Sequence, residues 1–119
     1  MADSIHWIVE MVVEPGRLAE FKALMAEMVE SARAEPGVTD YEWFVAEDGR
    51  SVSIHERYKD APAAKAHSAK FRAVYAKRFF ELAKPARFVF YGRPSDEMRE
   101  AIKAPVLVLD QIGGFTRGV

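Results

Sequence analysis

The 119-residue sequence contains no cysteine. Disulfide staples, thiolate nucleophiles and cysteine-bound zinc are thereby excluded, and a reducing compartment suits the chain. Charge of one sign is also lacking: 17 Lys+Arg stand against 18 Asp+Glu, a net charge of -1. Nothing in that balance draws the protein to nucleic acid or to an anionic membrane. Long hydrophobic runs are missing too, since no segment approaches the roughly 20 apolar residues of a membrane span. The apolar run Ile5–Val13 is interrupted by His6 and Glu10 and preceded by Asp3, unlike a signal peptide. A cytoplasmic location is the expectation.

What is present reads as one folded domain. Half of the residues are hydrophobic, 12% are aromatic and 29% are charged, enough apolar material for a core and too much for disorder. The length suits a single domain of ordinary size. The charges segregate, with six basic and twelve acidic groups in residues 1–59 against eleven and six in residues 60–119. That split serves internal complementarity or a basic rim that receives an anion.

Apolar periodicity sets out the elements. Trp7, Val9, Met11 and Val13 alternate with His6, Ile8, Glu10 and Val12, a period of two that predicts a strand. After Pro15-Gly16, the positions Leu18, Phe21, Leu24, Met25, Met28, Val29 and Ala32 predict a helix from Arg17 to about Ala34, ended by Glu35-Pro36-Gly37. Val38–Glu47 and Ser51–Lys59 read as strands of a hairpin around Asp48-Gly49. Asp60 can cap a second helix with Pro62 in its first turn. Its stripe is Ala64, His67, Phe71, Val74, Tyr75, Arg78 and Phe79, continuing to about Ala83, with a break expected near Ser68–Lys70. Arg87–Tyr91 predicts a fourth strand between Pro85 and Pro94. Ser95 with Asp96 and Glu97 starts a short helix to about Lys103, and Val106–Leu109 adds a last strand before the glycine-rich tail 113–118.

The order β-α-β-β-α-β is that of an α+β, ferredoxin-like domain with an antiparallel sheet, here expected over residues 1–94, with residues 95–119 as a C-terminal extension of the same domain. Its helices cover one sheet face. Ile8, Val12 and Phe44 lie on the other, so a second copy of the sheet is the simplest cover and a homodimer is expected.

The segment Glu35-Pro36-Gly37-Val38-Thr39-Asp40-Tyr41-Glu42, followed by His55-Glu56-Arg57-Tyr58-Lys59-Asp60 and then Ala64 to His67, resembles the antibiotic biosynthesis monooxygenase domain family. Val13-Glu14-Pro15-Gly16 with Phe21 agrees, and the motifs together span about residues 5–92. The resemblance implies a dimeric α+β barrel. In members that are enzymes it also implies oxidation of an electron-rich aromatic or quinol by O2 without flavin, haem or metal. Haem-degrading members rely on an Asn, a Trp and a His; this sequence has no asparagine, carries His67 where those proteins resemble it but place Trp, and has Lys77 about where their haem-ligating His would stand. Haem degradation is not expected.

Direct reaction of triplet O2 with a closed-shell molecule is spin-forbidden, so a cofactor-free oxygenase must deprotonate its substrate and let the anion donate an electron. That chemistry needs a base and a dry, aromatic-lined cavity. Glu56 and Tyr58 share strand parity with Val52 and Ile54, and His67 lies on the apolar stripe of the following helix. His67 is the candidate base, its ordinary pKa near 6.5 suiting proton abstraction at neutral pH, with Glu56 orienting it or holding its charge. Trp7, Tyr41, Trp43, Tyr58 and Phe71 are the candidate substrate-binding walls. The plainer alternatives are a hydrogen-bonded core histidine and a glutamate that neutralises a buried arginine such as Arg87 or caps a loop.

Other chemistries find less support. His6 and Glu10 share a strand face but stand roughly 13 Å apart, too far for one metal ion. Gly113-Gly114 lacks the spacing of a phosphate loop. His6 and His55 have the parity of the expected subunit interface. The strand Ser51-Val52-Ser53-Ile54-His55 lacks the stacking aromatics and basic pattern of an RNA-binding sheet. The expected function is therefore a cofactor-independent monooxygenase, with a non-catalytic dimer that binds a small apolar molecule as the alternative.

Overall fold

The computed structural model describes residues 4–117. Gly118, the end of the expected tail, lies outside the described residues. The elements are β1 (Ile5–Val13), α1 (Leu18–Arg33), β2 (Val38–Val45), β3 (Ser51–Tyr58), α2 (Ala61–Lys70), a π-helical segment (Phe71–Tyr75), α3 (Ala76–Leu82), β4 (Ala83–Tyr91), α4 (Asp96–Ala101) and β5 (Val106–Leu109). They form an α+β, ferredoxin-like arrangement around one open five-stranded sheet of order β2-β3-β1-β4-β5. The strands β1 to β4 pair antiparallel as expected. The sheet as a whole is mixed, because residues 92–105 cross over and lay β5 parallel to β4.

Local sequence explains the joints. Gly16 takes a φ of 77° after Pro15, and Gly49 one of 70° in the hairpin turn, a region that costs residues with a Cβ. In that turn the Asp48 carboxylate accepts hydrogen bonds from the N–H groups of Arg50 at 2.8 Å and Ser51 at 2.9 Å, and from the Ser51 hydroxyl at 2.7 Å. These bonds hold its pKa down to about 2. Asp60 caps α2 by accepting from the Ala63 N–H, and Ser95 caps α4 by accepting from the Met98 N–H.

On the helix-covered face, Trp7, Val9, Met11 and Val13 of β1 join Val52, Ile54 and Tyr58 of β3, and Phe21, Leu24 and Met28 of α1, in one buried cluster with Phe79, Leu82 and Phe90. Side chains of β1 on the other face are only half-buried, and Phe44 stays 50% exposed.

Two boundaries differ from the expectation. Strand β4 begins at Ala83 rather than Arg87, running through Pro85. A register shift makes this possible: Glu10 pairs with Arg87 while Met11 pairs with Pro85, so Ala86 is an extra residue in a bulge, where a missing N–H is tolerated. The second helix departs further. Its expected break near Ser68–Lys70 is instead a widened turn just beyond, in which the Ala76 N–H donates to the Phe71 carbonyl five residues back. Val74, placed on the apolar stripe by α-helical spacing, is 52% exposed, and Arg78 reaches an exposed ion pair with Glu27 at 3.1 Å.

The widened turn decides which residues face the sheet. Over twelve residues a regular α-helix swings about 120° away from its starting face. The one extra residue of the widened turn takes up most of that excess, so the fourfold spacing Ser68, Arg72, Ala76 and Phe80 stays on one side.

Gly37 sets the entry of α2. A Cβ there would stand 2.5 Å from the Ala63 Cβ, and the Gly37 carbonyl accepts the Lys59 N–H at 2.9 Å. Gly37→Ala is expected to push α2 from β2 and destabilise the protein by about 1–3 kcal/mol, read by denaturant unfolding. In the hairpin, Asp48→Ala is expected to lower the melting temperature at neutral pH. Because the folded carboxyl has a depressed pKa, its contribution is present above the unfolded value of 3.8 and fades as the pH falls through about 2. The melting gap between wild type and variant should narrow across that window.

Candidate active site

Helix α2 carries His67 against the sheet, where it is 9% exposed, and β3 carries Glu56, 8% exposed, on the same side as Val52 and Ile54. Strand parity thus drives a carboxyl into the core, where it needs partners. The Tyr58 hydroxyl donates to it. His67 Nε2 lies 3.8 Å from a Glu56 oxygen, too long for a hydrogen bond but close enough for charge to act. On the other side of the ring, Nδ1 is 3.3 Å from the Glu35 carboxylate at the end of α1. A carboxylate only accepts, so this contact requires an N–H on Nδ1, and in the neutral ring the lone pair is then on Nε2, the side toward Glu56. Tyr41 and Tyr58 pack their rings on the imidazole at 5.3 and 5.2 Å between centroids.

Burial dominates the electrostatics. It raises the Glu56 pKa, while the His67 charge and hydrogen bonding from Tyr58 and Trp7 act the other way. The Tyr41 and Tyr58 phenols are pushed up by burial and then by the Glu56 charge. Both remain hydrogen-bond donors across the working pH range.

His67 and Glu56 line a cleft of about 720 Å³. Its sheet side is Trp7, Val9, Tyr41 and Ile54; its helix side is Phe71, Ala76, Phe79 and Phe80; Phe88 of β4, Met98 and Ala101 of α4 and the following Ile102 complete it. A volume of this size, mostly apolar with a few polar groups, suits a small organic molecule. Among the described residues no three His, Asp or Glu side chains converge as a metal site requires.

Of the candidates drawn from the sequence, His67, Glu56, Trp7, Tyr41 and Phe71 meet at this cleft. Trp43 and Tyr58 do not line it. Tyr58 is fully buried, tilted on Trp7 at 4.8 Å, and so supports Glu56 from behind. Trp43 packs on Phe21, Tyr41 and Phe79. Arg87, suggested as an alternative partner of Glu56, pairs with Glu10 at 2.9 Å. His6 and His55 lie away from the cleft: His6 accepts from Arg57 and stacks on Tyr91, and His55 packs on Phe44. Burial, then the Arg57 charge, lowers the His6 pKa.

Glu35 was not legible as a site residue. Its place before Pro36 signals a helix end, and the 32 residues separating it from His67 hide the contact. The Phe79-Phe80 pair and α4 were also missed as walls, since the widened turn and the crossover bring them in.

The family model described as antibiotic biosynthesis monooxygenase matches residues 4–88. The chain belongs to the antibiotic biosynthesis monooxygenase family. Solved structures agree on the fold. MupZ from Pseudomonas fluorescens is 24% identical with a TM-score of 0.77, over 98% of this chain and 91% of that one. SnoaB, a cofactor-independent oxygenase from Streptomyces nogalater, is 18% identical with a TM-score of 0.67, over 79% and 96%. Protein SO0527 from Shewanella oneidensis is 24% identical with a TM-score of 0.64, over 76% and 88%. No curated protein matches the chain.

The raised Glu56 pKa has a sign that can be measured. The folded carboxyl holds its proton more tightly than the unfolded one, so wild-type stability falls as the pH rises above the ordinary value of 4.5. Glu56→Gln keeps an acceptor for Tyr58 and carries no charge. Its melting temperature relative to wild type is expected to climb with pH across that range, and a flat difference would count against the buried charge.

Proposed function

We propose that this family member is a monooxygenase that oxidises a small electron-rich aromatic or quinol with O2 and no bound cofactor. One observation carries the reading: His67 lines an apolar cleft beside Glu56, with Nδ1 3.3 Å from Glu35 and Nε2 3.8 Å from Glu56. The imidazole can take a proton from a substrate carbon or hydroxyl, and Glu56 beside Nε2 favours the resulting cation. The substrate anion passes one electron to O2, giving a substrate radical and superoxide. Their recombination forms a C–O bond to a peroxide anion, which takes the proton back from His67. When the O–O bond then breaks with loss of a second carbon-bound hydrogen, the products are the ketone or quinone and one water.

Each group has a separate role. His67 is the base, Glu35 positions its ring, Glu56 balances its charge, and Trp7, Tyr41 and Phe71 hold the aromatic body while excluding water. Oxygen uptake with a panel of quinols and phenols tests this. His67→Ala is expected to lower the rate by about 10²–10⁴-fold; Glu35→Ala should cost less, because the base remains. Uptake indifferent to His67→Ala would sink the reading. Saturable binding without any uptake would instead favour the non-catalytic binding protein.

We further propose that two copies pair through the sheet face opposite the helices, where Ile8 and Phe44 lie with Tyr91 and Leu107, which are 42% and 41% exposed. A solvent-facing apolar surface of that kind favours a partner. Sedimentation equilibrium should give twice the 13.4 kDa chain mass, and Phe44→Glu should shift the protein toward that single mass.

A further inference from the structure

Three cations border the cleft: Arg72 from the π-helical segment, Lys84 from β4 and Lys103 just past α4. The one acid among the lining residues is Glu56, which is buried and engaged by Tyr58 and His67. Lys84 lies 3.7 Å from Glu14. Among the described residues neither Arg72 nor Lys103 has a carboxylate within 4.0 Å. Two cations from separate elements, Arg72 and Lys103, therefore line one apolar cleft without a carboxylate partner among the described residues.

The position of Lys103 adds weight. It and the α4 wall, Met98, Ala101 and Ile102, lie beyond the residues 4–88 that match the family. The likeness to MupZ spans 98% of this chain, whereas those to SnoaB and SO0527 span 79% and 76%. The extension thus builds part of the cleft from residues outside the family match. Arg72, for its part, faces the cleft because the widened turn keeps it in line with Ser68 and Ala76.

We propose that the substrate of this site is an amphipathic acid: an apolar, ring-bearing body seated in the cleft and an anionic group held at the rim by Arg72 and Lys103. This deepens the monooxygenase reading and rests on it for the fate of the ring. The charge fixes orientation, since an anion drawn to the rim cations cannot also approach Glu56 without cost. It also separates the acid from its neutral ester or amide, which would fill the same space without the rim contacts.

The test uses two fluorescent probes of one skeleton, 8-anilinonaphthalene-1-sulfonate and its neutral parent N-phenyl-1-naphthylamine. The wild type is expected to bind the sulfonate about tenfold more tightly at low salt, as one close cation at intermediate dielectric allows, with the preference shrinking at high salt. Arg72→Gln combined with Lys103→Gln should abolish the preference and leave the neutral probe within about twofold. Ala101→Trp, which fills the cleft, should weaken both probes. Equal affinities in the wild type, a preference that survives the double substitution, or probe binding indifferent to Ala101→Trp would each overturn the proposal. Oxygen uptake is scored separately: uptake on neutral quinols and their acids alike defeats the acid preference and keeps the oxygenase, whereas the probe preference without uptake keeps the acid site and defeats the oxygenase.

Discussion

The arrangement depends on an imidazole clamped between two carboxylates at the edge of an apolar core. A buried Glu56 alone would be a costly charge, and a buried His67 alone would have no defined tautomer. Placed 3.8 Å apart, with Tyr58 donating to one and Glu35 meeting the far nitrogen of the other, each supplies what the other lacks. Much of the surrounding structure serves that spacing. The β3 parity turns Glu56 inward, the close approach of Gly37 to Ala63 fixes the start of α2, and the end of α1 delivers Glu35.

How far the sequence disclosed this depends on the range of the signals involved. Period-two alternation in β1 and β3 and the Asp48-Gly49 turn are local, so the strands and hairpin were readable, as was the inward parity of Glu56. His67 was readable because its helix begins at a capping Asp60 and buries its next-turn neighbour Ala64. Glu35 was not, because helix-ending residues carry no mark of what they face. The tyrosines divide for a similar reason: parity told that Tyr58 points inward, yet only packing decides that it stands behind Glu56 while Tyr41 meets the cleft.

The second helix shows where periodicity itself failed. A regular 3.6-residue repeat placed Val74 inside and Arg78 on the stripe; the extra residue in the turn Phe71–Tyr75 sends both to solvent and brings Phe80 to the cleft, while Phe79 keeps the buried place the stripe gave it. Five residues without a glycine or internal proline carry no sequence mark of such a turn. The neighbouring aromatic cluster gives it a physical setting, since Phe71, Phe79 and Phe80 meet edge to face at 5.3–5.8 Å.

The short strand β5 has a bearing on how the molecule behaves in a crowded solution. Without it, nine residues of β4 would offer a row of open peptide groups on that flank, a template for growth by strand exchange. Four residues laid parallel along Phe88–Tyr91 cover the stretch where the apolar side chains concentrate. What stays uncovered is the bulged portion around Pro85, where a ring without an N–H and flanking cations make poor docking for an incoming ribbon. The same appendage that walls the cleft is therefore also the sheet's edge on that side, and four residues make a poorer template for strand addition than nine.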